Sequence, residues 1–187
     1  MKSEIRNPKS EIFTMPAEWE AHEATWLAWP HHLPDWPGKF QPVPWVFAEM
    51  ARKLGEGESV YIIVDDERQE RSARRKLKAA GADLGRIRFF RWPTNRGWTR
   101  AFGPICRKRG RERQFVDCHF KAWAKYPNWE LDRGMAATAG RGLGVPVREA
   151  IAPDGRPWTI EGGGIDVNGR GTLLTTYRCL LQANRSP

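Results

Sequence analysis

Cysteine is scarce: the 187 residues hold three, at positions 106, 118 and 179. A small, odd number disfavours a disulfide framework and points to a reducing compartment. Long apolar runs are missing, and no stretch approaches the roughly 18 residues that a membrane span needs, so no membrane partner is expected. The opening residues, Met1-Lys2-Ser3-Glu4-Ile5, carry charge but no apolar core, which excludes a secretion signal. Metal-ligand spacing is absent too. The histidines are His22, His31, His32 and His119, and the adjacent pair His31-His32 sends its side chains in different directions. No metal site is expected from this spacing. Acidic residues are in deficit, 22 against 31 basic ones, for a formal net charge of +9.

What is present is tryptophan. Ten of them argue against a disordered polyelectrolyte, because disorder goes with few aromatics. The length suits one domain with a real core. A soluble, cytoplasmic, globular protein is the expectation.

Residues 1–14 look unlike the rest. Lys2-Ser3-Glu4-Ile5 recurs as Lys9-Ser10-Glu11-Ile12 in a polar stretch without hydrophobic periodicity, which predicts a disordered tail. Residues 15–187 show no internal linker and read as one domain. A short strand is expected over 24–29, and Val46, Phe47, Met50 and Leu54 recur at helical spacing. Val60-Tyr61-Ile62-Ile63-Val64 reads as a buried strand. Asp65-Asp66 can cap a helix in which Ala73, Leu77 and Ala80 share a face and which Gly81 ends. Further strands are expected over 87–90, from Phe115, over 158–160 and over 172–175, with a weak helix over 134–143. Strand and helix alternate, so the fold class is α/β.

Several features carry candidate chemistry. Residues 66–78 hold six basic and three acidic side chains, as expected of the polar face of an amphipathic helix. Residues 107–113 hold five basic and one acidic around Gly110, either a solvated hairpin tip or a phosphate-contacting patch. No nucleic-acid-binding pattern accompanies them. Gly140-Arg141-Gly142-Leu143-Gly144 has the look of a dinucleotide loop but follows no strong strand. Two segments are richer: residues 95–104, containing Trp98, Arg100 and Ala101, and residues 161–169, opening on Glu161-Gly162-Gly163-Gly164. Three glycines let other groups approach Glu161 closely, and a carboxylate accepting two parallel hydrogen bonds matches a planar guanidinium. A tight turn with a solvated Glu161 accounts for the same residues equally well.

At these segments the chain resembles the agmatine deiminase family, which includes bacterial peptidyl-arginine deiminases. The resemblance runs through Met15-Pro16-Ala17-Glu18-Trp19-Glu20, Trp26-Leu27-Ala28-Trp29-Pro30, Asp35-Trp36-Pro37-Gly38, residues 95–104, Ala122-Trp123-Ala124-Lys125-Tyr126-Pro127 and residues 161–176. It implies a pentein fold, an α/β propeller of repeated αβ modules about a central site, here incomplete at the C-terminus. It also implies a hydrolase that converts a guanidine to a ureido group and releases ammonia, without metal or organic cofactor, as in putrescine and polyamine biosynthesis. The substrate would be agmatine or an arginine side chain. In that family a cysteine attacks the guanidinium carbon, a histidine moves protons and carboxylates grip the nitrogens.

Carried over by position, Glu161 matches the guanidinium-binding carboxylate, and Trp98 matches the tryptophan of the substrate pocket. Ala101 stands where the family has a second substrate-binding Asp. The family's His-x-Asp pair and nucleophilic cysteine fall beyond this sequence, and none of Cys106, Cys118 and Cys179 matches the nucleophile. The expectation is a chain inactive alone, with an open flank that favours self-association. A non-catalytic basic binding module and a truncated gene product are the alternatives.

Overall fold

The computed structural model describes residues 12–182. Its first unit is a parallel three-stranded sheet in the order β1-β2-β3, formed by Ala24–Ala28, Ser59–Val64 and Ile87–Arg91. The central strand, β2, is covered on both faces, which is why it reads as a near-continuous apolar run. Val60, Ile62 and Val64 face helices α1 (Val43–Leu54) and α2 (Glu67–Ala79), packing with Ala48, Ala51, Ala73 and Leu77. Ile63 faces the other way, into a cluster with Ala28, Phe102, Phe120, Ala122 and Met135.

Helix α2 starts where expected: the Asp66 side chain accepts the Gln69 N–H at 2.7 Å, and Gly81 follows the last turn at φ +77°. Helix α1 differs from its apolar spacing. Ala48 and Ala51 form its buried stripe with Phe47 and Leu54 beside them, while Val46 and Met50 are largely exposed. The stripe turned to the sheet thus runs through Ala48 and Ala51, and Val46 and Met50 lie off it.

The second unit starts with a short helix, α3 (Thr99–Phe102), and a hairpin of β4 (Ile105–Arg109) and β5 (Glu112–Asp117). Gly110 takes the positive φ (+59°) that the two-residue turn needs. A short α4 (Glu130–Arg133) leads into α5 (Met135–Leu143), which packs on β5 through Phe115, Ala139 and Val145. Strand β6 (Val147–Glu149) then pairs parallel to β5. The glycines at 140, 142 and 144 belong to this helix end. A methyl group on Gly140 would lie 2.2 Å from Val147 Cγ2 and one on Gly142 2.5 Å from the Trp92 ring, while Gly144 closes the helix in the left-handed conformation.

The third unit is a two-stranded hairpin, β7 (Ile165–Val167) with β8 (Leu173–Thr175), followed by α6 (Tyr177–Leu180). Residues 158–160 do not form the expected strand. The Trp158 N–H donates to the Ala150 carbonyl and the Trp158 carbonyl accepts the His119 N–H, single bonds to different segments rather than a ladder. Of the tail expected over 1–14, residues 1–11 lie outside the described residues. Phe13 and Thr14 are placed: Thr14 exchanges two backbone hydrogen bonds with Lys108, and Arg107 and Arg109 stack on the Phe13 ring. No helix among the described residues is long and apolar enough to cross a membrane.

Candidate functional site

Residues 95–104 and 161–169 meet where α3 touches the 3-10 turn Gly162–Gly164. Glycine sets the approach. A methyl group on Gly162 would stand 2.5 Å from the Arg100 carbonyl oxygen, well inside contact distance, so only a residue without Cβ fits. Glu161 heads this turn in extended conformation and is only 4% exposed. The tight turn is there, but its carboxylate is buried rather than solvated. Ala101 is half-buried on α3 and packs against the cluster around Phe102 and Phe120.

Trp98 immediately precedes α3, and the Thr99 hydroxyl anchors that helix by donating to the Trp26 carbonyl of β1 at 3.1 Å. The Trp98 ring lies 5.0 Å from Trp123 and 6.3 Å from Tyr126, and Trp123 lies 5.4 Å from Phe120. This aromatic wall rests on an uncommon backbone. Ala122, Trp123 and Ala124 all take positive φ, 48°, 56° and 53°, each a left-handed L-residue costing roughly 1–2 kcal/mol. Strain of that size is kept where the surroundings over-determine it, often at a functional site.

The loop leading to Trp98 is held from several sides. Asp132 Oδ1 accepts the Asn95 and Arg96 N–H groups at 2.7 and 3.3 Å, and Asn95 Oδ1 accepts the Leu131 N–H. The buried Arg96 guanidinium pairs with Asp35, donates to Asn128 and stacks on Tyr126 at 4.3 Å. Asp132 is itself fully buried. Burial pushes its carboxyl up to about 6, against the opposing pull of the two amides. Arg96 and Trp123 lie in segments that carry the family resemblance but were given no role from sequence, and Asp132 was not singled out at all.

The cysteines do not meet as a nucleophilic centre. Burial first, then the negative charges of Asp117 and Glu161, push the Cys118 thiol up to about 12, so it is protonated at neutral pH and a poor nucleophile. Burial also raises Cys106. Cys179 lies on α6 against Gly164. Burial, with Arg133 and Lys121 nearby, lowers His119 and favours its neutral form. Among the described residues, no group of three or more His, Cys, Asp or Glu side chains could hold a metal ion.

The basic hairpin is engaged within the fold. Lys108 pairs with Glu20 at 2.5 Å, Arg109 with Glu112 at 2.7 Å and Arg113 with Glu23, and Arg107 donates to Gln114. The Arg100–Glu18, Lys108–Glu20 and Arg113–Glu23 pairs strap residues 18–23 across a cavity of about 420 Å³. Trp26, Tyr61, Phe115 and Gly162 line it. On α2, Arg71 pairs with Glu67 and Arg74 with Glu70.

Residues 14–187 match the family of Porphyromonas-type peptidyl-arginine deiminases. The chain belongs to that family. It is 33% identical over 194 residues to the agmatine deiminase of Pseudomonas aeruginosa strain LESB58, a match covering 100% of this chain and 50% of that protein. The agmatine deiminase of Ectopseudomonas mendocina is also 33% identical, with 96% and 48% covered. The solved structure of Enterococcus faecalis agmatine deiminase superimposes with a TM-score of 0.82 at 29% identity, covering 96% of this chain and 48% of that one. A substrate-bound C. jejuni agmatine deiminase gives 0.76 at 26%, with 93% and 48% covered. The chain thus spans about half the length of the curated relatives it matches, corresponding to their N-terminal half. Its fold is a partial pentein of the agmatine deiminase type. Family members of this kind are hydrolases.

Proposed function

We propose that this chain carries the guanidinium-holding part of an agmatine deiminase or peptidyl-arginine deiminase site. Glu161 binds the guanidinium nitrogens, and Trp98, backed by Trp123 and Tyr126, packs on the substrate. The observation that carries this reading is the buried Glu161 carboxylate placed against α3 by a glycine that no other residue can replace. Burial matters because a charge pair gains strength as water is excluded. The family's reaction is hydrolysis of the guanidine to a ureido group with release of ammonia. Within it, the chain's own residues hold the cation while the cysteine and the His-x-Asp pair of the family do the bond chemistry. None of Cys106, Cys118 and Cys179 takes the nucleophile's place, so the 187 residues alone turn over no substrate. The substrate is a small guanidine such as agmatine, on the route to putrescine, or an arginine side chain. The three cysteines are free thiols, which suits the reducing cytoplasm.

The test is a colorimetric ureido assay on the purified chain with agmatine and with an arginine peptide, run beside equilibrium binding of agmatine and of putrescine, which lacks the guanidine. The expected result is no product above a buffer control and preferential binding of agmatine. Ureido product would contradict the inactivity, and equal binding of the two amines would contradict the guanidinium site.

A further inference from the structure

One face of the β4–β5 hairpin looks into the cavity under residues 18–23, through Cys106 and Lys108 on β4 and Arg113 and Phe115 on β5. The register sets Cys106 opposite Phe115 and Lys108 opposite Arg113. Like charges directly opposite each other on neighbouring strands repel, and a negative group beside them removes that cost. Glu20 and Glu23 supply it, from a strap that forms no helix or strand. The Lys108 and Glu20 side chains are 46% and 35% exposed, and those of Arg113 and Glu23 52% and 63%. Water reaches both pairs, so each holds weakly and another anion can take its place.

The cavity itself, about 420 Å³, is mainly apolar, with Trp26, Tyr61, Ile105, Phe115, Leu143 and Val145 in its walls. That size and lining, with a few polar groups to fix orientation, suit a small molecule. The carboxylates around it, Glu18, Glu20 and Glu23, all come from the strap, while Arg100, Lys108 and Arg113 belong to the body of the fold. With the strap aside, the site is therefore cationic at its rim and aromatic beneath. We propose that this cavity binds an aromatic carboxylate, its acid head replacing Glu20 and Glu23 at Lys108 and Arg113 and its ring lying against Trp26, Tyr61 and Phe115. The Tyr61 hydroxyl, which donates to Glu23 at 3.3 Å, becomes a third donor to the acid head. The strap is the ligand's intramolecular competitor, tethered by buried Ala17 at one end and by Ala24 of β1 at the other. Trp98 and Glu161 do not line the cavity, so the proposal stands apart from the guanidinium reading.

The experiment titrates 2-naphthoate, 2-naphthylmethanol and 2-naphthylmethylammonium into the full chain by calorimetry. The acid should bind at least roughly tenfold more tightly than the alcohol, as expected when hydrogen bonds to charged groups are gained. The E20Q/E23Q variant, whose strap no longer competes, should tighten the acid by at least roughly tenfold, and K108Q/R113Q should weaken it by as much. These positions are exposed enough for both variants to keep the wild-type circular dichroism. Absence of acid binding to the wild type would overturn the proposal, as would an alcohol or amine that binds as tightly as the acid. An affinity that E20Q/E23Q leaves unchanged would overturn it too. Should either variant lose its fold, the three-ligand comparison on the wild type decides alone.

Discussion

At the scale of single residues, two side chains carry predictions. Ala101 stands on α3 in the segment that Gly162 holds against the Glu161 turn, and in the proposed site the family resemblance puts a second carboxylate at this position. Restoring it with A101D should tighten agmatine binding by about 10- to 100-fold, the effect of a hydrogen bond to a charged group, about 1.5–3 kcal/mol. Titration calorimetry of both proteins checks this, and unchanged affinity would mean that the 101 side chain does not face the guanidinium. Asp132 gives a pH signature instead. Its folded carboxyl is raised from 3.8 to about 6, so the folded state holds a proton that the unfolded chain has released. Its contribution to stability is therefore greatest below 3.8 and is lost as pH rises towards about 6. Urea unfolding of wild type and D132N at pH 4 and pH 7 should show that loss in the wild type and a smaller one in the variant. Asparagine keeps an oxygen to accept the Asn95 and Arg96 amides. A steeper loss in D132N would contradict the assignment.

Elements show how far a sequence carries its own structure. Strand β2 and helix α2 were legible because their signals are local: an unbroken apolar run, then Asp66 as a cap and Gly81 as a stop. The β4–β5 hairpin was legible from Gly110 among basic residues. Strands β6 and β7 were not: each is three residues long and, unlike β8 with Leu173-Leu174, carries no apolar run of its own. Val46 and Met50 recur at helical spacing with Phe47 and Leu54, and spacing alone did not say which of the four face the sheet. Of the site, the two segments were legible from their glycines and from family resemblance. The burial of Glu161 and the left-handed turn at Ala122, Trp123 and Ala124 were not, because non-glycine residues give no warning of positive φ. At this scale the junction of α3 with the Gly162–Gly164 turn makes a clear prediction. G162A places a methyl group 2.5 Å from the Arg100 carbonyl, a backbone atom that can give way only if α3 moves. It should cost about 1–3 kcal/mol and weaken agmatine binding together with it, read from denaturant midpoints and calorimetry. A G162A protein with wild-type stability would show that the two segments are not in contact.

At the scale of the whole molecule, the net charge is +9. Of the five cations in residues 107–113, Lys108, Arg113 and Arg109 are paired with Glu20, Glu23 and Glu112, and Arg107 donates to Gln114. These exposed pairs are individually worth little, typically under about 1 kcal/mol. A basic surface repels a guanidinium at long range, so in the proposed function recognition rests on Glu161, one of several buried carboxylates. The molecule is a partial pentein whose first two units share the cluster of Ala28, Ile63, Phe102, Phe120, Ala122 and Met135, and whose third leaves Leu173 and Leu174 exposed. The measurement that tests the central claim most directly is calorimetric titration of agmatine into wild type and E161A. The account predicts binding to the wild type that falls by at least roughly tenfold in E161A with unchanged circular dichroism. Equal affinity of the two proteins would contradict it.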